Sequence, residues 1–229
     1  MCSHYQGIKK REQMEKYFRS RGLPLPPGAD MWPRRLGEFI RRPPEWDSGD
    51  EAVPERETEL GRWGLISAMT RADNLPRAEK LSTFNARSET AHKSFTFSHA
   101  WRKGQRCIIP AEAIYEPDWR TGKAISTRFT RADGAPLGIA GLWDQYKDAS
   151  GNWRLSYTML TINADHHPLF QRYHRPNDEK RMVVILPDES YTGWLNATLQ
   201  DMPLFLQPYP ADALIAAPVA KQDEQARDE

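Results

Sequence analysis

Cys2 follows the first methionine, and once that methionine is removed no other residue in the chain carries two nucleophiles on adjacent carbons. An ordinary α-amine titrates at about 7.7–8.0 and a Cys thiol at about 8.5, so both are partly reactive near neutral pH. An aldehyde condenses with such an amine to an imine, and the thiolate then closes a five-membered thiazolidine ring. Removal of Met1 is expected, because the Cys side chain after it is small. Three further residues are of types that move protons or position a reacting group: Asn85, Glu116 and His174. Taken singly they read as a helix N-cap, a surface ion-pair partner and an exposed loop histidine. Cys107, within Arg106-Cys107-Ile108-Ile109-Pro110, reads as a small buried hydrophobe. The adjacent His166 and His167 lack partners at ligand spacing, so neither a metal nor another cofactor is expected.

These residues need a scaffold, and 229 residues supply one large domain or two small ones. A net charge of +1 and 28% charged residues lack the basic excess that marks a nucleic-acid binder by charge alone. Two cysteines build no disulfide framework, and no apolar run reaches membrane-spanning length, so the expectation is a cytoplasmic chain, nucleoid-associated in a bacterium, with no membrane partner. Met14, Tyr17 and Phe18 recur at helical spacing and end at Gly22. Residues 33–60 read as an irregular, charged surface excursion, with Arg34, Arg35, Arg41 and Arg42 as a basic cluster. Strands are expected at 106–110, 113–116, 125–131, 137–146, 153–162 and 182–186, with helices over 94–104 and 188–200, the latter turning Trp194, Leu195 and Leu199 inward. The tail 218–229 reads as disordered. The expected fold is α+β: one domain over 1–217, dominated by antiparallel strands with peripheral helices.

Several of these stretches, in order, resemble one family, the SRAP (SOS-response-associated peptidase) domain. They are Met1-Cys2, Trp63-Gly64-Leu65-Ile66, Asn85-Ala86-Arg87-Ser88-Glu89-Thr90, Arg106 to Pro110 running on to Tyr115-Glu116, Gly141-Leu142-Trp143, Thr161 to Ala164, and His174 followed by Arg181 to Leu186. The resemblance implies a curved, barrel-like sheet and covalent capture of abasic sites in single-stranded DNA through a thiazolidine on Cys2. It implies that Glu116 and His174 are the acid/base pair, that Asn85 positions Cys2 and the sugar, and that Arg87 binds a flanking phosphate. It also implies lyase-like chemistry, self-removal of Met1, and a monomer in the DNA damage response. Arg34, Arg35 and Arg106 are expected along the DNA groove, with Trp63 or Trp101 as a stacking surface. The chain departs from the family in Ser3-His4 after Cys2, in Pro117 where a Trp is usual (an aromatic contact to DNA that is missing unless Trp119 supplies it), and in Glu179 where many relatives have the histidine. Two other classes share these residues: an N-terminal-nucleophile cysteine peptidase and a non-covalent DNA-binding module.

Overall fold

The computed structural model describes residues 2–24, 26 and 28–219. The chain begins with a short strand, β1 (Tyr5–Gln6), and then helix α1 (Glu12–Phe18), which buries Met14 and Phe18 one turn apart and ends at Arg19 in the left-handed region. Next come β2 (Asp30–Met31), β3 (Leu36–Arg41) and β4 (Glu57–Trp63). The stretch 33–60 is therefore not an irregular excursion. Its two ends pair as a six-residue antiparallel ladder, Leu36↔Arg62 to Arg41↔Glu57, and only the charged, Pro-rich middle loops out. The apolar pair Phe39-Ile40, buried on both faces of β3, carries the strand signal beneath that composition.

After helix α2 (Leu75–Ala78), β5 (Asn85–Arg87) runs into α3 (Ser88–Ala91), so Asn85 lies on a strand and is not an N-cap. Helix α4 (Ser98–Lys103) covers only the second half of the expected 94–104 helix and closes on Gly104 at φ +68. The strands β6 (Arg106–Ala111), β7 (Ala113–Asp118), β8 (Ile125–Arg131), β9 (Leu137–Lys147) and β10 (Trp153–Asn163) follow as expected. The 182–186 stretch divides into β11 (Arg181–Val183) and β12 (Ile185–Leu186). Helix α5 (Tyr191–Asn196) is short. It buries Trp194 and Leu195, but Leu199 lies beyond it and is 48% exposed, so the 188–200 helix is overextended at both ends. Helix α6 (Met202–Phe205) precedes β13 (Leu214–Pro218), which pairs with β8 and carries the ordered domain past residue 217. Of the tail expected to be disordered, 220–229 lies outside the described residues.

Two sheets result. β4, β3, β6, β9 and β10 pair in a closed circuit, completed by the parallel contact of β10 with β4 and the antiparallel contact of β10 with β9. This is a five-stranded barrel, with Phe39, Ile40, Ile108, Ile139, Leu142, Tyr157 and Met159 in the buried core. The second sheet has the order β13-β8-β7-β1-β2. β10 is the long spine: past the barrel its distal residues pair with β5 and β11, which presents Asn85 and Arg181 on one end of the fold. The architecture is α+β, largely antiparallel, with helices at the periphery, as expected. Among the described residues no helix is long and apolar enough to cross a membrane.

Candidate active site

The N-terminal segment is held in place between β7 and β2 of the second sheet. Tyr5 pairs with Ile114, and the amide of Tyr115 donates to the carbonyl of His4 at 3.0 Å. This register carries Cys2 alongside the far end of β7, where Glu116 sits. Both are buried, at 0% and 1% exposure. The Cys2 thiol donates to the His4 carbonyl at 3.3 Å, and the Asn85 amide nitrogen donates to the Cys2 carbonyl at 2.6 Å. Asn85 reaches it because Trp63 and Gly64 guide the preceding chain. The Trp63 indole donates to the Phe84 carbonyl at 3.0 Å, and Gly64, at φ +131, turns the chain off β4 while its amide donates to Tyr157. The Asn85 carbonyl oxygen is buried without a partner among the described residues.

His174 comes from the loop between β10 and β11 and faces Glu116, with Nδ1 3.5 Å from Oε2. Its backbone occupies the left-handed region at φ +66, a conformation that surrounding structure must enforce on a non-glycine residue. Two bonds enforce it: the His174 amide donates to the Pro117 carbonyl at 3.1 Å, and Nε2 lies 2.9 Å from the Arg181 carbonyl. A carbonyl only accepts, so Nε2 carries a hydrogen and Nδ1 is the nitrogen that faces Glu116. Burial raises the Glu116 carboxyl above the usual range, with His174 pulling the other way. Burial, and then the Glu116 charge, push the Cys2 thiol up to about 12. The thiol is thus held in its neutral form, next to a carboxyl whose protonated form burial favours.

Around this cluster Arg181 forms a knot. It is 2% exposed; Nη1 and Nη2 bind the two Glu89 oxygens at 2.9 and 2.8 Å, Nη1 also binds Glu179 at 2.8 Å, and Nη2 donates to the Thr161 carbonyl at 2.8 Å. Burial lowers its basicity, but the hydrogen bonds to Glu89 and Glu179 outweigh this and raise it. Glu179 is therefore a structural partner, while His174 stands opposite Glu116.

The expected DNA-contacting residues divide. Arg34, Arg35 and Arg87 are exposed; Arg87 pairs with Glu179 at 2.6 Å rather than with Glu89. Trp63 is fully buried, its edge against Tyr5 and Phe84, so it cannot stack on a base. Arg106 is 5% exposed and sits over Trp194; burial, and then Arg42, lower it to about 10. It braces the interior and cannot meet a phosphate. Arg41 is likewise buried, between Glu57 and Glu59 at 2.7 Å each. Trp101 packs partly into the core, and Arg175 covers Trp119 at 5.0 Å. Sequence reasoning missed Arg181, Glu89 and Asp30 as supports, and Trp32 and Tyr115, whose rings sandwich His4. No spacing rule marks these contacts, which are made between distant segments.

A barrel closed through one long strand, with Cys2 buried beside a carboxylate that a histidine faces, defines a domain with a nucleophile-and-acid cluster at its rim. The chain belongs to the SOS response associated peptidase (SRAP) family, whose profile matches residues 1–224. It is 32% identical over 168 residues to the abasic site processing protein YoqW of Bacillus subtilis, covering 69% of this chain and 67% of that protein. It is 25% identical over 154 residues to the abasic site processing protein HMCES of Gallus gallus, covering 59% of this chain and 44% of that longer protein. A crystal structure of a Bordetella bronchiseptica protein superimposes with a TM-score of 0.88 at 60% identity, covering 96% of this chain and all of the other. One from Bacteroides thetaiotaomicron shares the fold with a TM-score of 0.80 at 18% identity, over 98% and 94% of the two chains.

Proposed function

We propose that this protein processes abasic sites in DNA, and that it does so by capturing the lesion covalently on Cys2 in single-stranded DNA. The names of its relatives support abasic-site processing. The observation that carries the covalent reading is the placement of Cys2, clamped by Asn85 at 2.6 Å and buried beside Glu116 and His174. The ring-opened sugar presents an aldehyde at C1′. With Met1 removed, the Cys2 nitrogen attacks that carbon, and the carbonyl oxygen leaves as water after taking up protons. The sulfur then attacks the imine carbon and the thiol proton passes to nitrogen, so the net change is loss of one water. Glu116, whose carboxyl burial raises above its usual range, is the donor for opening the sugar and expelling water, and His174 Nδ1 takes the proton released by the attacking nitrogen and hands it back to Glu116. Asn85 fixes the terminal carbonyl so that nitrogen and sulfur face one carbon. Arg87, Arg34 and Arg35 meet backbone phosphates.

The test is incubation with a uracil-containing oligonucleotide pretreated with uracil glycosylase, followed by denaturing electrophoresis. The expected result is a heat-stable shifted band that is absent for Cys2→Ala. Intact-mass analysis of protein made in cells should show Met1 missing. Retained Met1, or peptide cleavage in trans without any DNA adduct, overturns the reading.

A further inference from the structure

We infer that Trp32 is a stacking platform for an unpaired nucleobase next to the lesion, a proposal that rests on the capture reading above. Three rings form one stack here. His4 lies between Trp32, with centroids 4.1 Å apart and planes within 11°, and Tyr115, at 4.0 Å and 8°. Both inner members are tied to the reacting cluster by the chain itself: Tyr115 precedes Glu116, and the His4 carbonyl accepts the Cys2 thiol hydrogen. The imidazole is locked in plane, with Nε2 2.7 Å from Asp30. His4 is buried at 6%, whereas Trp32 is 43% exposed, so the stack runs from the reacting groups to solvent and ends in an open aromatic ring.

Other exposed tryptophans are occupied. Arg42 covers Trp46 at 3.6 Å, and Lys147 lies over Trp153 at 5.2 Å. No cation lies over Trp32 among the described residues. Two residues on, Arg34 and Arg35 are both exposed, and Arg34 is fixed by its Nη2 bond to the Lys80 carbonyl at 2.8 Å. A flat π surface followed in the chain by two exposed cations suits a base and its phosphates, because every base offers a π-face and the backbone supplies the negative charge. A base on Trp32 would become the fourth ring of the stack. The DNA register would then be set against Cys2 and Glu116 by stacked planes rather than by base-edge hydrogen bonds, so the contact is indifferent to sequence.

The test uses full-length protein carrying Cys2→Ser to prevent adduct formation. The probe is a single-stranded oligonucleotide with a tetrahydrofuran abasic analogue flanked on one side or the other by 2-aminopurine. Binding is followed by anisotropy and stacking by 2-aminopurine quenching. One flank should be quenched on binding; Trp32→Ala should abolish the quench and weaken binding about tenfold, the scale of one base–aromatic stack. Trp32→Phe should retain most of both. If Trp32→Ala lowers affinity but leaves the quench per bound strand unchanged, the ring merely braces the N-terminal segment and the proposal is overturned. It is also overturned if affinity and quench both survive Trp32→Ala. An unmutated protein that forms no Cys2-dependent adduct while the Trp32-dependent quench persists removes the capture reading and leaves the platform standing.

Discussion

Two polar clusters, each built on a buried residue, lie side by side at the rim of the barrel, bridged by the bond from His174 to the Arg181 carbonyl. The Arg181 cluster is matched: one cation meets two carboxylates and a backbone carbonyl, and of its three nitrogens only Nε lacks a partner among the described residues. The Cys2–Glu116–His174 cluster is not matched in this way. Its thiol and carboxyl are driven toward their neutral forms by burial, and an Asn85 oxygen next to it has no partner among the described residues. The difference separates holding from reacting. Saturated charges fix a loop in place, whereas groups held away from their ordinary protonation are suited to exchange protons with a substrate.

Four substitutions break or sharpen this contrast. Arg181→Ala should have the largest effect, about 2–3 kcal/mol of lost stability by chemical denaturation, because it strips the Thr161 carbonyl of its donor and removes the cation that two solvent-facing carboxylates share. Asn85→Ala removes the clamp on Cys2. It should slow adduct formation roughly tenfold, and the cost of about 1–3 kcal/mol for a buried carbonyl left without its donor should lower the melting temperature by a few degrees. Glu116→Gln should remove the pH dependence of both stability and adduct formation. A carboxyl raised in the folded state binds its proton more tightly than in the unfolded chain, so stability declines as pH rises from the ordinary carboxylate range through the raised value. The glutamine should flatten that decline in melts taken across pH. It should also remove the fall in adduct rate that the parent shows as Glu116 ionises. Arg87→Ala should have the smallest effect, under about 1 kcal/mol in stability because the pair with Glu179 is exposed, with a weaker salt dependence of DNA binding as its signature.

Much of the site was legible in the sequence and much of its surroundings was not. Cys2, Asn85, Glu116 and His174 were nameable because the chemistry of an N-terminal cysteine and the short motifs around the others are local properties, and the structure brings these four residues together. The strands from 106 to 163 were legible because β-branched and aromatic runs end at Gly, Asp and Asn turns. The 33–60 stretch misled because its average composition hid two strands inside it. Trp63 and Arg106 misled for a different reason. Whether a tryptophan or an arginine faces solvent is decided by what packs over it, here Tyr5, Phe84 and Trp194 from distant parts of the chain. Trp32 is the converse, an aromatic residue with no motif around it that the fold leaves open.

The pairing of the β3–β4 hairpin has a consequence for how the barrel breathes. Its two strands hold each other through six register pairs, yet β4 meets β10 through only Arg62 and Trp63, and β3 meets β6 only at Ile40. The hairpin is thus a stave lodged in the wall chiefly by its side chains, and it is the natural unit of partial opening. In deuterated solvent the outward-facing amides of this stave should exchange ahead of those between β6, β9 and β10, and equal protection around the whole ring would refute that view. Because Trp63 steadies the strand that bears Asn85, each such opening would also loosen the grip on Cys2.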